Sequence, residues 1–378
     1  MLDAVVVGGG PVGLFTGALL AHQGLDVQVL EQRTEPIRHS RAIGIHPPAL
    51  EAFDGVGIAR AIVSEGTRIR HGLLRSDGRT FGSLGFDGVS AAHPYIVALD
   101  QHRTEALIAA RLEQLRPGSL RRGVQVRGLE QEADHVRLQV ATGHGGSGLN
   151  ARMVIGADGG NSLVRSACRI DVRTTVHGDQ YLMGDFIDET PDGRAAVIWL
   201  EPQGVVESFP LPHGRRRWVV RLQSPVTDPT PELLSGLIQA RTGTAVAASG
   251  NRMLSGFGVR TQTAGRMVAG RVVLVGDAAH QVSPIGGQGM NLGWLDAAAL
   301  APLLPDAANG SGEAKALDRF QGRRMRSAAI AARVAQLNMA MGRPVDGYRL
   351  RGRDLLLRAL LTAGPRAALA RAYSMRWL

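Results

Sequence analysis

The apolar run Ala4 to Val7, rich in β-branched residues, predicts a strand buried on both faces. Gly8 to Gly13 follow, then Leu14 to Gln23 with apolar residues at helical spacing. Gly24 ends that helix, and Asp26 to Leu30 predicts a second strand closing on Glu31. Strand, helix and strand within roughly 30 residues make one βαβ unit. Pro47 to Phe53 and Gln101 to Gln114 predict helices, the first with proline in its opening turn. Val124 to Gly143 alternates as strands do, and Arg152 to Ala157 is again an apolar strand, ending at Asp158.

The middle of the chain has a different rhythm. Residues 173–260 hold few helical stretches. Ala195–Leu200, Val205–Leu211 and Arg216–Leu222 predict strands, with turn residues at Pro202–Gly204 and Pro212–Gly214, as in an antiparallel sheet. Arg271 to Val275 returns to a buried parallel-type strand, and residues 307–378 are mostly helical. The expected fold is α/β (α+β), with two interleaved domains. A Rossmann-like nucleotide-binding domain takes residues 1–72, 95–172 and 260–306. A sheet domain takes 73–94 and 173–259, and a helical C-terminal segment takes 307–378.

Composition narrows the function classes. The 378 residues are 44% hydrophobic, enough for a large core. Net charge is +10, carried almost wholly by arginine; Lys315 is the single lysine. The arginines are scattered rather than run together, which argues against a nucleic-acid-binding surface. The lone cysteine, Cys168, permits no internal disulfide and fits a reducing, cytoplasmic compartment. No targeting segment or transmembrane stretch is expected. The basic, amphipathic segment 351–378 is expected to pack on its own domain, since arginines interrupt each long apolar face.

Three stretches carry chemistry. In Gly8-Gly9-Gly10-Pro11-Val12-Gly13, Gly8 allows a tight turn, Gly10 a close backbone approach to a pyrophosphate, and Gly13 close helix packing. The helix start offers free N–H groups to phosphates. Glu31, at the end of the next strand, is placed to accept bonds from ribose hydroxyls. Gly143 to Gly148 matches the same glycine spacing but has no helix after it, so it is read as a hairpin loop. A nicotinamide nucleotide would therefore need a different, transient site. The second stretch is Gly156-Ala157-Asp158-Gly159-Gly160-Asn161-Ser162 with Arg165 beyond it, where Ser162 is placed to cap a helix. The third is Leu274-Val275-Gly276-Asp277-Ala278-Ala279-His280, continuing through Pro284, Gly286, Gly287, Gln288, Gly289, Met290 and Asn291. Asp277 at a strand end can hold hydroxyls, and the glycines leave N–H groups bare before a helix. A hydrolase-like trio of Asp277, His280 and Ser283 is disfavoured, because no G-x-S-x-G elbow accompanies it.

In this order the three motifs resemble the para-hydroxybenzoate hydroxylase-like family of single-component FAD-dependent monooxygenases, over roughly residues 3–300. The resemblance implies FAD as cofactor, with NAD(P)H a transient cosubstrate. It assigns the ADP part to Gly8, Gly10, Pro11, Val12 and Gly13, with Glu31, Gln32 and Arg33 beside them. It assigns Asp158, Gly159 and Arg165 to FAD and NAD(P)H, and Gly276, Asp277, Pro284, Gly287, Gly289, Met290 and Asn291 to the ribityl chain and ring. Arg41 resembles the family arginine near the phosphates, Gln101 the family glutamine at a helix start, and Val126 should meet the adenine through its backbone.

The same resemblance implies that reduced flavin reacts with O₂ and that a flavin hydroperoxide hydroxylates an aromatic or polyketide-like small molecule. No residue is assigned as catalytic and no metal is expected. His46, Tyr181, Met183, Trp199, Phe209 and Pro284 are the pocket candidates. The larger polyketide hydroxylases of the family carry a C-terminal thioredoxin-like domain, and at 378 residues none is expected here. Trp294, where a smaller residue is expected, either reshapes the pocket or packs; packing is favoured. Monomer and homodimer are both open. The rival readings are a flavin reductase or dehydrogenase on the same scaffold, such as a prenyl-group reductase, and more remotely a basic nucleic-acid binder.

Overall fold

The computed structural model describes residues 1–36, 42–143, 145–309, 314–361 and 363–376. The N-terminal apolar run forms the central strand Leu2–Val7. It pairs in parallel with Val27–Glu31, Val6 opposite Val29, and with Gly145–Gly156, Val6 opposite Ile155. Val272–Leu274 and Leu120–Arg122 extend the parallel sheet at either side. Such a sheet must be covered to bury its apolar faces. Helix Pro11–His22 lies close because Gly17 faces Val29; a Cβ there would sit 2.4 Å from a Val29 methyl. The helix Gln101–Leu115 packs against it, with Leu112 beside Gly17.

The hairpin expected around residues 143–148 is present but tighter. Thr142 pairs directly with Gly145, and Gly145 to Gly148 continue as strand against Gln139 to Thr142. Most of the glycines are therefore in the sheet.

The second large sheet has eight strands. In spatial order they are His280–Gln281, Met253–Ala264, Val172–Ile187, Arg215–Leu222, Gly204–Leu211, Ala196–Glu201, His71–Ser76 and Arg79–Gly85. It departs from the antiparallel expectation at one step. Ala196–Glu201 pairs in parallel with His71–Ser76, because that strand arrives from a distant part of the chain rather than through a hairpin. A small third sheet joins Gly44–Ile45, Ile96–Ala98 and Thr67–Ile69.

One face of the second sheet is sealed by helix Pro231–Thr242, which the hydrophobic pattern did not announce. Thr230 Oγ1 accepts the Leu233 N–H at 3.2 Å, Pro231 opens the first turn, and Gly243 at φ 70° ends the helix. Leu234 and Ile238 pack there on Val197, Val206 and the stacked pair Trp199 and Trp218. The other face looks back toward the first sheet. Helices Ala314–Met341, Gly347–Leu360 and Ala363–Tyr373 complete the fold, burying Met339, Leu357, Ala370 and Met375. Among the described residues no helix is long and apolar enough to cross a membrane.

Candidate functional site

A cavity of about 940 Å³ runs from the first sheet to the second, and all three motifs line it. The glycines of the first motif divide the work. A Cβ on Gly8, at φ 106°, would fall 2.4 Å from the Ala157 carbonyl oxygen, and one on Gly13 would fall 1.8 Å from the Gly8 oxygen. These two permit packing; Gly13 does not reach the cavity. Gly10 has no atom within 4 Å of where its Cβ would stand, and it lines the cavity. No side chain caps the helix that starts at Pro11, so its first-turn N–H groups are left for a ligand. Glu31 holds the loop: its Oε2 accepts the Gly9 N–H at 2.8 Å and its Oε1 that of Arg33 at 2.9 Å. Glu31, Gln32, Arg33, Pro11, Val12, Gln101 and Val126 all line the cavity. Gln101 donates to Glu105 at 2.7 Å. Arg41 lies outside the described residues.

In the second motif Asp158 and Gly159 line the cavity. Asp158 Oδ2 accepts the Val164 N–H at 3.0 Å, while its Oδ1 is buried with no hydrogen-bond partner among the described residues. Ser162 caps the short helix Leu163–Ala167 as expected, accepting the Arg165 N–H at 2.9 Å. Arg165 corrects the expectation: it is buried away from the cavity. It donates to the carbonyls of Ala278 at 3.0 Å and Gly160 at 2.8 Å, binding the second motif to the third.

In the third motif Asp277, Pro284, Gly287, Gly289 and Met290 line the cavity. Gly276 and Asn291 lie behind them. Gly276, at φ 60°, packs on Val12 and donates its N–H to Asp296 at 3.0 Å. Asp296 is fully buried between His280 Nε2 at 2.6 Å and Arg324 Nε at 2.7 Å. Trp294 packs, as favoured: its ring meets Phe53 and its indole N–H donates to the Pro11 carbonyl at 3.1 Å.

The far end of the cavity is apolar and belongs mostly to the second sheet. Of the pocket candidates, His46, Met183, Phe209 and Pro284 line it. Trp199 does not, since it points to the helix-covered face. Tyr181 shares the inner face with Met183 but is buried beneath Phe257, stacked at 5.6 Å. Ile198, Leu200, Val205, Glu207, Val219, Phe257 and Tyr373 also line this end and were not anticipated. Alternation along each strand was a signal for some of them; the register that decides which parity faces inward was not readable.

A profile of the FAD binding domain family matches residues 1–335. The chain belongs to that family. It is 33% identical over 331 residues to a rifampicin monooxygenase from Streptomyces venezuelae, covering 86% of this chain and 68% of that protein. Of several curated relatives it matches, it spans 65% to 68% of the length. The structure of anhydrotetracycline hydroxylase from Streptomyces rimosus superposes with a TM-score of 0.82 at 30% identity, covering 99% of this chain and 76% of that one. The structure of p-nitrophenol 4-monooxygenase from Pseudomonas putida reaches 0.90 at 23% identity, with 99% and 98% covered, a likeness of fold.

The cavity of this FAD-binding family member suits the cofactor by its own chemistry. A long dinucleotide needs an open glycine backbone, acids for hydroxyls and length. Gly10 supplies the first, half-buried Asp277 and Asp158, whose Oδ1 has no partner among the described residues, the second, and 940 Å³ the third. Burial raises the Asp277 carboxyl above its ordinary value, against a weaker opposing pull from His280 and Arg260. Burial also lowers the His46 ring to about 4, partly offset by a main-chain hydrogen bond with Gly286. The imidazole is therefore neutral at pH 7, with its Nδ1 buried and unpartnered among the described residues.

Proposed function

We propose that the protein is an FAD-dependent monooxygenase that uses NAD(P)H and O₂ to hydroxylate an aromatic, polyketide-like small molecule. The observation that carries this reading is the continuity of one cavity, with the three nucleotide motifs along one part and an apolar pocket at the other. Gly10 and the helix start at Pro11 would meet the pyrophosphate, Glu31 the ribose hydroxyls, the Val126 backbone the adenine, and Asp277 the ribityl hydroxyls. Gly286 and the start of the following helix would present N–H groups to the ring, while the Gly287 N–H closes the turn on the Pro284 carbonyl at 3.0 Å. When bound, the flavin supplies the electron transfer from NAD(P)H to O₂ and the oxygen insertion. The chain's own residues orient that ring, exclude water and hold the substrate against it. The names of the rifampicin and anhydrotetracycline enzymes support a polycyclic aromatic substrate. The apolar wall of Ile198, Leu200, Val205, Val219 and Phe257 fits such a ring system. Scattered arginines and the lone Cys168 favour a cytoplasmic enzyme acting on a small molecule rather than on nucleic acid.

The test is a visible spectrum of the purified protein, then oxygen uptake and NAD(P)H oxidation with a panel of polycyclic phenols. A flavin spectrum, with a phenol stimulating both rates together, is expected. Ligand-stimulated NAD(P)H oxidation that proceeds unchanged without O₂ would overturn oxygenation in favour of a reductase.

A further inference from the structure

The apolar end of the cavity contains an acid, Glu207, that no described residue neutralises. Glu207 sits on strand Gly204–Leu211, its side chain buried on the same face as Val205 and Phe209. Among the described residues its carboxyl has no hydrogen-bond or ion-pair partner. Its neighbours on the sheet are treated differently. Asp185 takes two hydrogen bonds from Arg217, at 2.6 and 2.8 Å, and Asp179 is held by Arg221 and Arg343. Arginines stand on the adjacent strand, yet they are committed to Asp185 and Asp179. The other titratable groups facing Glu207 are Tyr181 and Tyr373, both kept neutral by burial and by Glu207 itself. An unpaired buried carboxyl is costly, and an apolar residue here would complete the pocket wall at lower cost. Burial pushes the Glu207 carboxyl up to about 7, so near neutral pH it can accept or return a proton with little bias.

We propose that Glu207 receives the hydrogen bond and, during turnover, the proton of a hydroxyl on an otherwise apolar aromatic substrate. The substrate O–H bond breaks, an O–H bond forms on Glu207, and the electron pair stays on the substrate oxygen. The ring carbons ortho and para to that oxygen become more electron-rich, which suits them for oxygen insertion. The proton returns to an oxygen of the product, so the exchange needs no oxidant or reductant of its own. This rests on the monooxygenase reading, and it adds a selection rule: the ring must carry a hydroxyl that reaches strand Gly204–Leu211.

The test uses FAD-loaded wild type, Glu207→Gln and Glu207→Leu, with 2-naphthol and 2-methoxynaphthalene as probes. Binding is read from perturbation of the flavin spectrum. Wild type should prefer the hydroxyl probe by about 10-fold or more at about pH 8, the range of a charge-assisted hydrogen bond, and less at about pH 6. Glu207→Gln should reduce the preference to about 3-fold and flatten its pH dependence. Glu207→Leu should bind the methoxy probe at least as tightly as wild type, which also shows that its pocket folds. In turnover, substrate-stimulated oxygen uptake should rise through about pH 7 in wild type and lack that limb in Glu207→Gln. An unchanged preference or an unchanged limb in Glu207→Gln overturns the proposal, as does a stronger preference for 2-naphthylamine than for 2-naphthol. Protein that holds FAD but binds none of these probes overturns the role of Glu207 alone. Protein that cannot be loaded with FAD overturns the monooxygenase reading as well.

Discussion

Asn291 Oδ1 accepts the main-chain N–H of His46 at 2.8 Å, joining positions 245 residues apart. Its Nδ2 donates to the carbonyls of Gly44 at 2.9 Å and Gly287 at 2.8 Å. One fully buried amide thus ties the third motif to the strand Gly44–Ile45, and fixes the Gly286–Gly287 turn relative to His46. Asn291→Leu keeps the volume but removes the partner of all three main-chain groups. Leaving buried groups unpaired should cost on the order of 3 kcal/mol, read from urea unfolding of the apoprotein. FAD should also be lost faster on dilution. Unchanged stability and retention would show that the turn is shaped by something else.

Gly10→Ala separates folding from cofactor binding. The added Cβ would meet no atom within 4 Å, and the backbone at φ −77° suits alanine. Apoprotein stability should therefore stay within about 1 kcal/mol of wild type. FAD affinity should fall by at least about 10-fold, because the methyl enters the path of the pyrophosphate. Gly13→Ala, whose Cβ would fall 1.8 Å from the Gly8 oxygen, should disrupt the fold itself. If Gly10→Ala binds FAD as tightly as wild type, the cofactor does not lie along this loop.

Asp277→Asn should act in opposite directions on stability and binding. In the apoprotein burial raises the Asp277 carboxyl, so its protonated form is favoured on folding. That contribution is present below the unfolded value, near 3.9, and is lost as pH rises through the folded one. At pH 7 the variant apoprotein should thus be as stable as wild type or more so, while its FAD dissociation constant rises. Chemical unfolding paired with a flavin titration checks both signs. A variant both less stable and unaltered in FAD affinity would remove Asp277 from the cofactor site.

His46 gives the protein an acid-sensitive term. Its folded value, about 4, lies below the ordinary 6.5 because burial disfavours the charged ring. The stability it contributes is intact above about pH 6.5 and is lost progressively as pH falls toward 4, by about 3 kcal/mol in all. The stability of His46→Gln should decline less steeply than wild type across that window. Parallel pH profiles for the two proteins would exclude this burial effect.

The βαβ unit, the strands at Ala195–Leu200, Val205–Leu211 and Arg216–Leu222, and the three glycine-bearing loops that line the cavity were legible because each rests on local periodicity or on motif spacing. Pocket residues were harder. Met183 and Phe209 face the cavity, but Trp199 turns away, because its strand presents even-numbered residues inward while the strands that carry Met183 and Phe209 present odd ones. Arg165 carried the expected motif but serves two carbonyls of neighbouring loops. Tyr373 lies 164 residues beyond Phe209 and yet lines the same space.

From its sequence alone the chain declared a nucleotide-binding βαβ unit, a change to antiparallel strands in its middle, and three loops suited to phosphates and hydroxyls. Hydrophobic period and glycine placement act over a few residues and need no distant partner. Tertiary structure decided which face of each strand looks inward, which glycines serve packing and which serve access, and that Glu207 has no counter-ion among the described residues. Those outcomes depend on inter-strand register and on side chains far apart in the chain, and a one-residue shift in pairing would reverse them.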